Sequence, residues 1–130
     1  MKCLDTDLLI AALRGVQEAR NKISELDREG RHATTSINAF ELFYGAFRSE
    51  EKRKNLESAR RLLERLEVLP FDLGSSERAG EALARLASRG ETIDYRDAMI
   101  AAIAGANGLT LVTRNERRFG RIHGVKLESW

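Results

Sequence analysis

Short apolar runs alternate with longer stretches of helical period along the whole chain, and this alternation constrains the fold more than any other feature. The strand-like runs are Lys2–Asp5, Arg31–Thr35, Val68–Leu69, Leu109–Thr113 and Val125–Leu127. The stretches between them have helical spacing: Leu8–Arg14, Val16–Glu29, Ile37–Arg48, Glu51–Glu67, Ser75–Arg89 and Tyr95–Ala106. Strands separated by helices pair through crossovers, which makes them parallel and puts helices on the sheet faces. The expectation is therefore a three-layer α/β/α domain with a central, mainly parallel sheet. The second run is the weakest, with only Ala33 and two threonines to mark it. Gly15, Gly30 and Gly90 stop helices. No linker or repeat divides residues 1–130, and Pro70 is the only proline. One domain is expected, with enough chain for a packed core.

Several classes are disfavoured by composition. Hydrophobic content of 42% and charged content of 32% are globular values and argue against disorder. No run approaches the roughly 18 apolar residues of a membrane span. The chain enters its first strand without a long apolar leader, so no secretory signal is expected. Cys3 is the only cysteine, which precludes an internal disulfide. It reads as a small buried hydrophobe in a reducing, cytoplasmic setting. The net charge is only +2, yet Lys and Arg number 22, most of them arginine. Arginine binds phosphate in a bidentate fork. Such a composition permits nucleic-acid binding, and it equally describes solvated, charge-laced helices.

Acidic residues fall where this fold brings things together, since ligands of parallel sheets bind beyond the carboxyl ends of the strands. Asp5 ends the first run, in Leu4-Asp5-Thr6-Asp7. Aspartate there often caps the next helix. We assign that cap to Asp7 or Thr6 and reserve Asp5 for chemistry. Glu41 has two readings. It forms a capping box with Asn38, or the helix starts at Ser36 and leaves Glu41 a full turn inside, beside Phe40, Leu42 and Phe43. Asp94 suits the N-cap of the most apolar helix, and Asp97 lies in its first turn, where the helix end favours an anion. Asn115 and Glu116 follow the Leu109–Thr113 run; either would add an oxygen ligand, and Asn115 also suits a plain N-cap. Carboxylates gathered in one place repel unless a cation lies between them, so the pattern predicts a divalent-metal site. The aromatic residues of Ile37–Arg48 (Phe40, Phe43, Tyr44 and Phe47) suit core packing, a symmetric dimer face, or a groove for a partner helix.

Taken together, these motifs resemble the PIN-domain family. The resemblance is carried by Leu4-Asp5-Thr6-Asp7-Leu8-Leu9-Ile10, the Glu41 helix ending Phe43-Tyr44-Gly45, Arg96-Asp97-Ala98-Met99-Ile100-Ala101-Ala102, and Leu111-Val112-Thr113-Arg114-Asn115 through Phe119 to Trp130. Within that family the chain is similar to the VapC-type ribonuclease toxins of toxin–antitoxin pairs. The resemblance implies an endoribonuclease dependent on Mg²⁺ or Mn²⁺, with Asp5, Glu41 and Asp97 at the characteristic acidic positions. It further implies a homodimer and an antitoxin partner, with DNA contacted only through the antitoxin and no membrane. Many relatives carry a fourth acid where this chain has Asn115, and asparagine or serine where it has Asp7. We expect Asp5 and Asp97 to hold the metal, helped by Glu41, Asp94, Asn115 or Glu116, and Glu41 to orient or deprotonate the attacking water. Arg96, Arg114, Arg117 and Arg118 are candidate RNA phosphate contacts. His32 and His123 read as structural or surface residues.

Two other readings remain. Asp5-Thr6-Asp7 after the first strand resembles the opening motif of haloacid-dehalogenase-like phosphotransferases, with Asp5 as nucleophile. That family's lysine and late paired aspartates are not recognisable here. The other reading is a PIN-like module that holds RNA or a partner without cutting. No Gly-rich loop follows the first strand, which disfavours a dinucleotide site.

Overall fold

The computed structural model describes residues 1–130. In chain order its elements are β1 (Cys3–Leu4), α1 (Thr6–Leu13), α2 (Gln17–Glu29), β2 (Ala33–Thr35), α3 (Ser36–Arg48) and α4 (Lys52–Glu64). There follow β3 (Glu67–Leu69), α5 (Leu73–Ser88), α6 (Tyr95–Ala106), β4 (Thr110–Val112), α7 (Glu116–Phe119) and β5 (Lys126–Glu128). The five strands form one sheet in the order β3-β2-β1-β4-β5. Every pairing is parallel, so the mainly parallel sheet that was expected is wholly so.

Period-two alternation distributes the strand side chains between two cores. Leu4 and Val112 join Leu8, Leu9, Leu26, Leu42 and Ala59 on one face. Cys3 and Leu111 join Ile100, Ala101, Ala104 and Phe119 on the other. Ile103 of α6 meets Ala33 and Leu69 in a third cluster. Each such aliphatic side chain contributes about 2 kcal/mol by leaving water. α6 packs on β2 and β4, over the middle of the sheet. That placement explains why Ala98 and the run from Ile100 to Ala104 are all buried. Cys3 is buried as expected, and burial, reinforced by Asp5, pushes its thiol up to about 12. It is no nucleophile near neutral pH. His32 is also structural: its Nδ1 accepts the Lys2 amide at 2.9 Å, and Nε2 lies 2.7 Å from the Leu26 carbonyl oxygen.

Helix α3 begins earlier than the Ile37 start read from spacing, and the reason is its cap. Thr35 leaves β2 extended, and its hydroxyl accepts the Asn38 amide while the Asn38 side chain accepts the Thr35 amide. The capping box is therefore Thr35 with Asn38, not Asn38 with Glu41. Glu41 lies a full turn inside, as the second of its two readings held. The aromatic residues of α3 divide. Phe43 packs against the first core, whereas Phe40, Tyr44 and Phe47 are 54%, 51% and 58% exposed, so core packing does not account for them.

The strand order reverses direction at β1 and β4. From β1 the chain crosses outward to β2, and from β4 it crosses outward the other way to β5. The loops leaving these two neighbours diverge, and a crevice opens beyond their carboxyl ends. No helix is long and apolar enough to cross a membrane.

Candidate active site

Asp5 stands at that crevice, immediately after β1, and is 3% exposed. Its backbone remains in the sheet, the amide donating to the Val112 carbonyl at 3.0 Å. Its side chain accepts from three donors, on α1, on α3 and just after β4. Oδ1 accepts the Thr6 amide at 2.8 Å and the Asn38 Nδ2 at 3.0 Å. Oδ2 accepts the Thr113 hydroxyl at 2.7 Å. The Asn38 amide has only one consistent orientation, because its Oδ1 accepts the Thr35 amide and hydroxyl at 3.2 and 2.6 Å. Its nitrogen must then face Asp5. The expectation that Asp7 or Thr6 would cap α1 is corrected here: Asp5 itself is the N-cap. Its extended backbone places the carboxylate over the first helical amide, so one side chain serves both purposes.

Glu41 connects to Asp5 through shared donors. Thr6 Oγ1 accepts from Asn38 Nδ2 at 2.8 Å and donates to Glu41 Oε1 at 2.7 Å. The other Glu41 oxygen lies 3.6 Å from Arg96 Nη1. Asp97, in the first turn of α6, is 5% exposed. Arg118 of α7 donates to its Oδ1 at 3.0 Å. Arg118 Nε also lies 2.9 Å from Oδ2, but out of donor alignment, so that buried oxygen accepts no hydrogen bond.

The electrostatics follow from this crowding. Burial, reinforced by Asp7 and Glu41, raises the Asp5 carboxyl to about 6 against the lowering pull of the Thr113 and Thr6 hydrogen bonds. Burial also raises Asp97, against the lowering effect of Arg118, with Asp94 and Glu41 adding to the rise. Glu41 thus acts electrostatically on both acids. As placed, no three His, Cys, Asp or Glu side chains stand close enough together to hold a metal ion. Asp5 and Glu41 share the Asn38–Thr6 hydrogen-bond chain, whereas Asp97 is held separately by Arg118.

Other expected ligands have different engagements. Asp94 caps α6 and grips Arg96 through both oxygens, at 3.1 and 2.9 Å. Hydrogen bonds from Arg96 hold its carboxyl down at about 2. Asn115 is at the N-cap of α7 but makes no capping bond; its Nδ2 donates to Asp7 Oδ2 at 3.2 Å. Glu116 is exposed in the first turn of α7. Of the four candidate phosphate contacts, Arg96 and Arg118 are paired with acids, and Arg114 pairs with Glu18 and lies over the Trp130 ring at 3.7 Å. Arg117 is exposed and makes no ion pair. Sequence reasoning missed Asn38, Thr113 and Asp7 as members of the network. Asp7 binds the Thr113 hydroxyl, the Arg114 amide, Asn115 and the Trp130 indole N–H, at 2.8 to 3.2 Å. Asn38 had one available signal, its position three residues after Thr35. Nothing local marks Trp130, whose partner is remote in the chain.

The PIN domain profile matches residues 2–125. The chain belongs to the PIN-domain family. The "tRNA(fMet)-specific endonuclease VapC" of Salmonella typhimurium is 36% identical over 127 residues, covering 98% of this chain and 96% of that protein. "Ribonuclease VapC2" of Haemophilus influenzae is 32% identical over 131 residues, at the same shares of the two chains. Among solved structures, VapBC2 from Rickettsia felis, bound to a DNA fragment from its promoter, superposes with a TM-score of 0.90 at 32% identity, covering 99% of this chain and 98% of that one. DNA-bound VapBC from Salmonella typhimurium gives 0.88 at 34% identity, covering 100% and 99%.

The donor set suits a divalent cation. Asp97 keeps a buried oxygen that accepts no hydrogen bond, and Asp5 is a buried carboxylate whose ionised form is disfavoured. Hard oxygen donors with water completing the shell fit Mg²⁺ or Mn²⁺, because magnesium takes only one or two carboxylates directly.

Proposed function

We propose that this protein is the toxin of a toxin–antitoxin pair and that it cuts RNA at the crevice beyond β1 and β4, using Mg²⁺ or Mn²⁺. The observation that carries this reading is a pair of buried carboxylates: Asp5, which has no cationic partner at the topological switch point, and Asp97, one of whose oxygens accepts no hydrogen bond. Asp5 and Asp97 would hold the ion, which when bound supplies an acidified water and neutralises phosphate charge.

The chain's own groups do the rest. Asn38, Thr6 and Thr113 lock the Asp5 carboxylate in one orientation. Thr6 aims one oxygen of Glu41 and leaves the other toward Arg96. Glu41 therefore orients the attacking water and accepts its proton. Arg118 holds Asp97 ionised until cation and substrate arrive. Arg96 and Arg117, at the rim, grip phosphate oxygens of the strand. Asn115 is a partner of Asp7 in this arrangement, and the fourth acidic position of many relatives is filled here by a neutral amide.

The reading extends to partners. The protein binds a cognate antitoxin and forms a homodimer in the cytoplasm. DNA is reached only through the antitoxin. The exposed stripe of Phe40, Tyr44 and Phe47 supplies apolar area for such contacts. Two relatives carry tRNA(fMet)-specific endonuclease as their name, so initiator tRNA is the first substrate to assay. The test incubates purified protein with that tRNA and with total RNA, in EDTA and in Mg²⁺ or Mn²⁺. Metal-dependent cuts are expected from the wild type and none from Asp97→Asn or Asp5→Asn. Wild-type turnover by either variant refutes the assigned roles, and an aspartyl-phosphate on Asp5 would establish the phosphotransferase alternative.

A further inference from the structure

A second concave feature lies away from the acids. Helix α5 and its C-cap present Arg78, Arg85 and Arg89 two turns and then one turn apart, on one side. The loop after α7 supplies Arg121 and His123, and together these residues line a cleft of about 490 Å³. Its single lining acid, Glu81, is already engaged by Arg85 at 2.9 Å. Ala82 is its only apolar lining residue. The whole chain carries a net charge of just +2, so this concentration of guanidinium groups is a local segregation of charge.

The floor is shaped to admit one of these arginines. A Cβ on Gly105 would stand 2.6 Å from Arg78 Nη2, and one on Gly124 would stand 3.4 Å from it. The glycines leave a notch in which the Arg78 guanidinium lies. Neither Arg78 nor Arg121 has an acidic partner within ion-pair distance. Arg121 Nη1 instead donates to the Thr92 carbonyl at 3.4 Å, two residues before Asp94. Arg121 also closely follows Arg118, which reaches Asp97. Arg121 thus ties the cleft to the segment entering α6, whose cap and first turn carry Asp94 and Asp97.

An acid-lined pocket repels RNA when no cation is bound, so affinity for a polyanion must come from elsewhere on the surface. Guanidinium forks match phosphate geometry, and an almost wholly polar lining gives an apolar ligand or a protein side chain little to bury against. We propose that this cleft holds the sugar–phosphate backbone of the RNA beyond the cut, anchoring a folded substrate while a single-stranded stretch enters the crevice. The proposal rests on the ribonuclease reading above.

The test compares wild type with the triple variant Arg78→Gln, Arg85→Gln, Arg121→Gln. Binding is measured by fluorescence anisotropy in EDTA, where no cleavage occurs, on a folded tRNA and on a short single-stranded oligonucleotide spanning the cut. Affinity for the folded RNA should fall about tenfold or more, and the salt slope of log K should lose roughly two to three. Affinity for the oligonucleotide and its metal-dependent cleavage should not change. The matching triple Arg→Lys variant keeps the charge and should bind the folded RNA within a few-fold of wild type, which separates loss of contacts from loss of fold. Unchanged affinity and slope on the folded RNA overturn the proposal. Equal loss on both RNAs also overturns it, because the arginines would then act through the crevice. So does loss of antitoxin binding with RNA binding intact. If wild type cleaves neither RNA in metal, the ribonuclease reading fails, and the anisotropy data still report on the cleft.

Discussion

Asp5→Asn should stabilise the metal-free protein while abolishing its activity. Asp5 is buried; its burial, with Asp7 and Glu41 adding, outweighs the Thr113 and Thr6 hydrogen bonds and holds the carboxyl at about 6 against an ordinary 3.8. At about 1.36 kcal/mol per pKa unit, the ionised side chain costs the folded state roughly 3 kcal/mol at neutral pH. Asparagine removes that charge without emptying the site. The retained oxygen still accepts from the Thr6 amide and Asn38. The new amide nitrogen donates to Thr113 Oγ1, whose hydroxyl hydrogen turns to Asp7 Oδ2 at 3.1 Å. Exchanging a charged acceptor for a neutral one forfeits about 1 kcal/mol. The net gain is about 2 kcal/mol, or a urea midpoint raised by about 1 M. The gain has a defined pH window. A folded-state pKa raised above the unfolded value makes the wild type most favoured below pH 3.8 and progressively disfavoured as pH rises through about 6. Urea unfolding in EDTA at pH 7.5 and pH 4 reads both ends: the variant should be more stable at the first and equal or less stable at the second. Excess Mg²⁺ should narrow the difference at pH 7.5 by stabilising only the wild type. A variant less stable than wild type at pH 7.5, or a gain that persists at pH 4, refutes this account of Asp5.

Asp97→Asn should lower metal-dependent cleavage by about a hundredfold or more while leaving a cooperative unfolding transition, as read by single-turnover kinetics and circular dichroism. Asn38→Asp puts a second carboxylate 3.0 Å from Asp5 and should destabilise the metal-free protein by about 3 kcal/mol above pH 6; unchanged urea unfolding there would disprove the one-way orientation of the Asn38 amide. Trp130→Ala removes the indole bond to Asp7 and the ring under Arg114, a loss of about 2 kcal/mol by thermal unfolding. Tyr44→Ser with Phe47→Ser should change monomer stability by less than about 0.5 kcal/mol per site yet weaken self-association or antitoxin binding in sedimentation runs.

The layer architecture was legible in the chain because alternation of strand-length and helix-length runs is a local signal. Which core each strand side chain joins, Cys3 against Leu4 and Leu111 against Val112, came only with the helices on the two faces. Glu41 was harder, since a capping box with Asn38 competed with a helix start at Ser36 and only the exit of β2 decided between them. In the sequence the aromatics of α3 stay open between core and interface, because helical spacing shows that they share a face without showing whether anything covers it; three of the four are exposed.

The sequence by itself determined the alternation of strands with helices, and that acids follow strand ends, because those are consequences of nearest-neighbour periodicity and capping. Only the tertiary structure decided that Asp5 caps its own helix while sharing Thr113 with Asp7, that Asn38 bridges toward Glu41, and that Trp130 closes over Asp7. Those contacts join residues far apart in the chain, and hydrogen-bond direction and burial exist only once the sheet has brought them together.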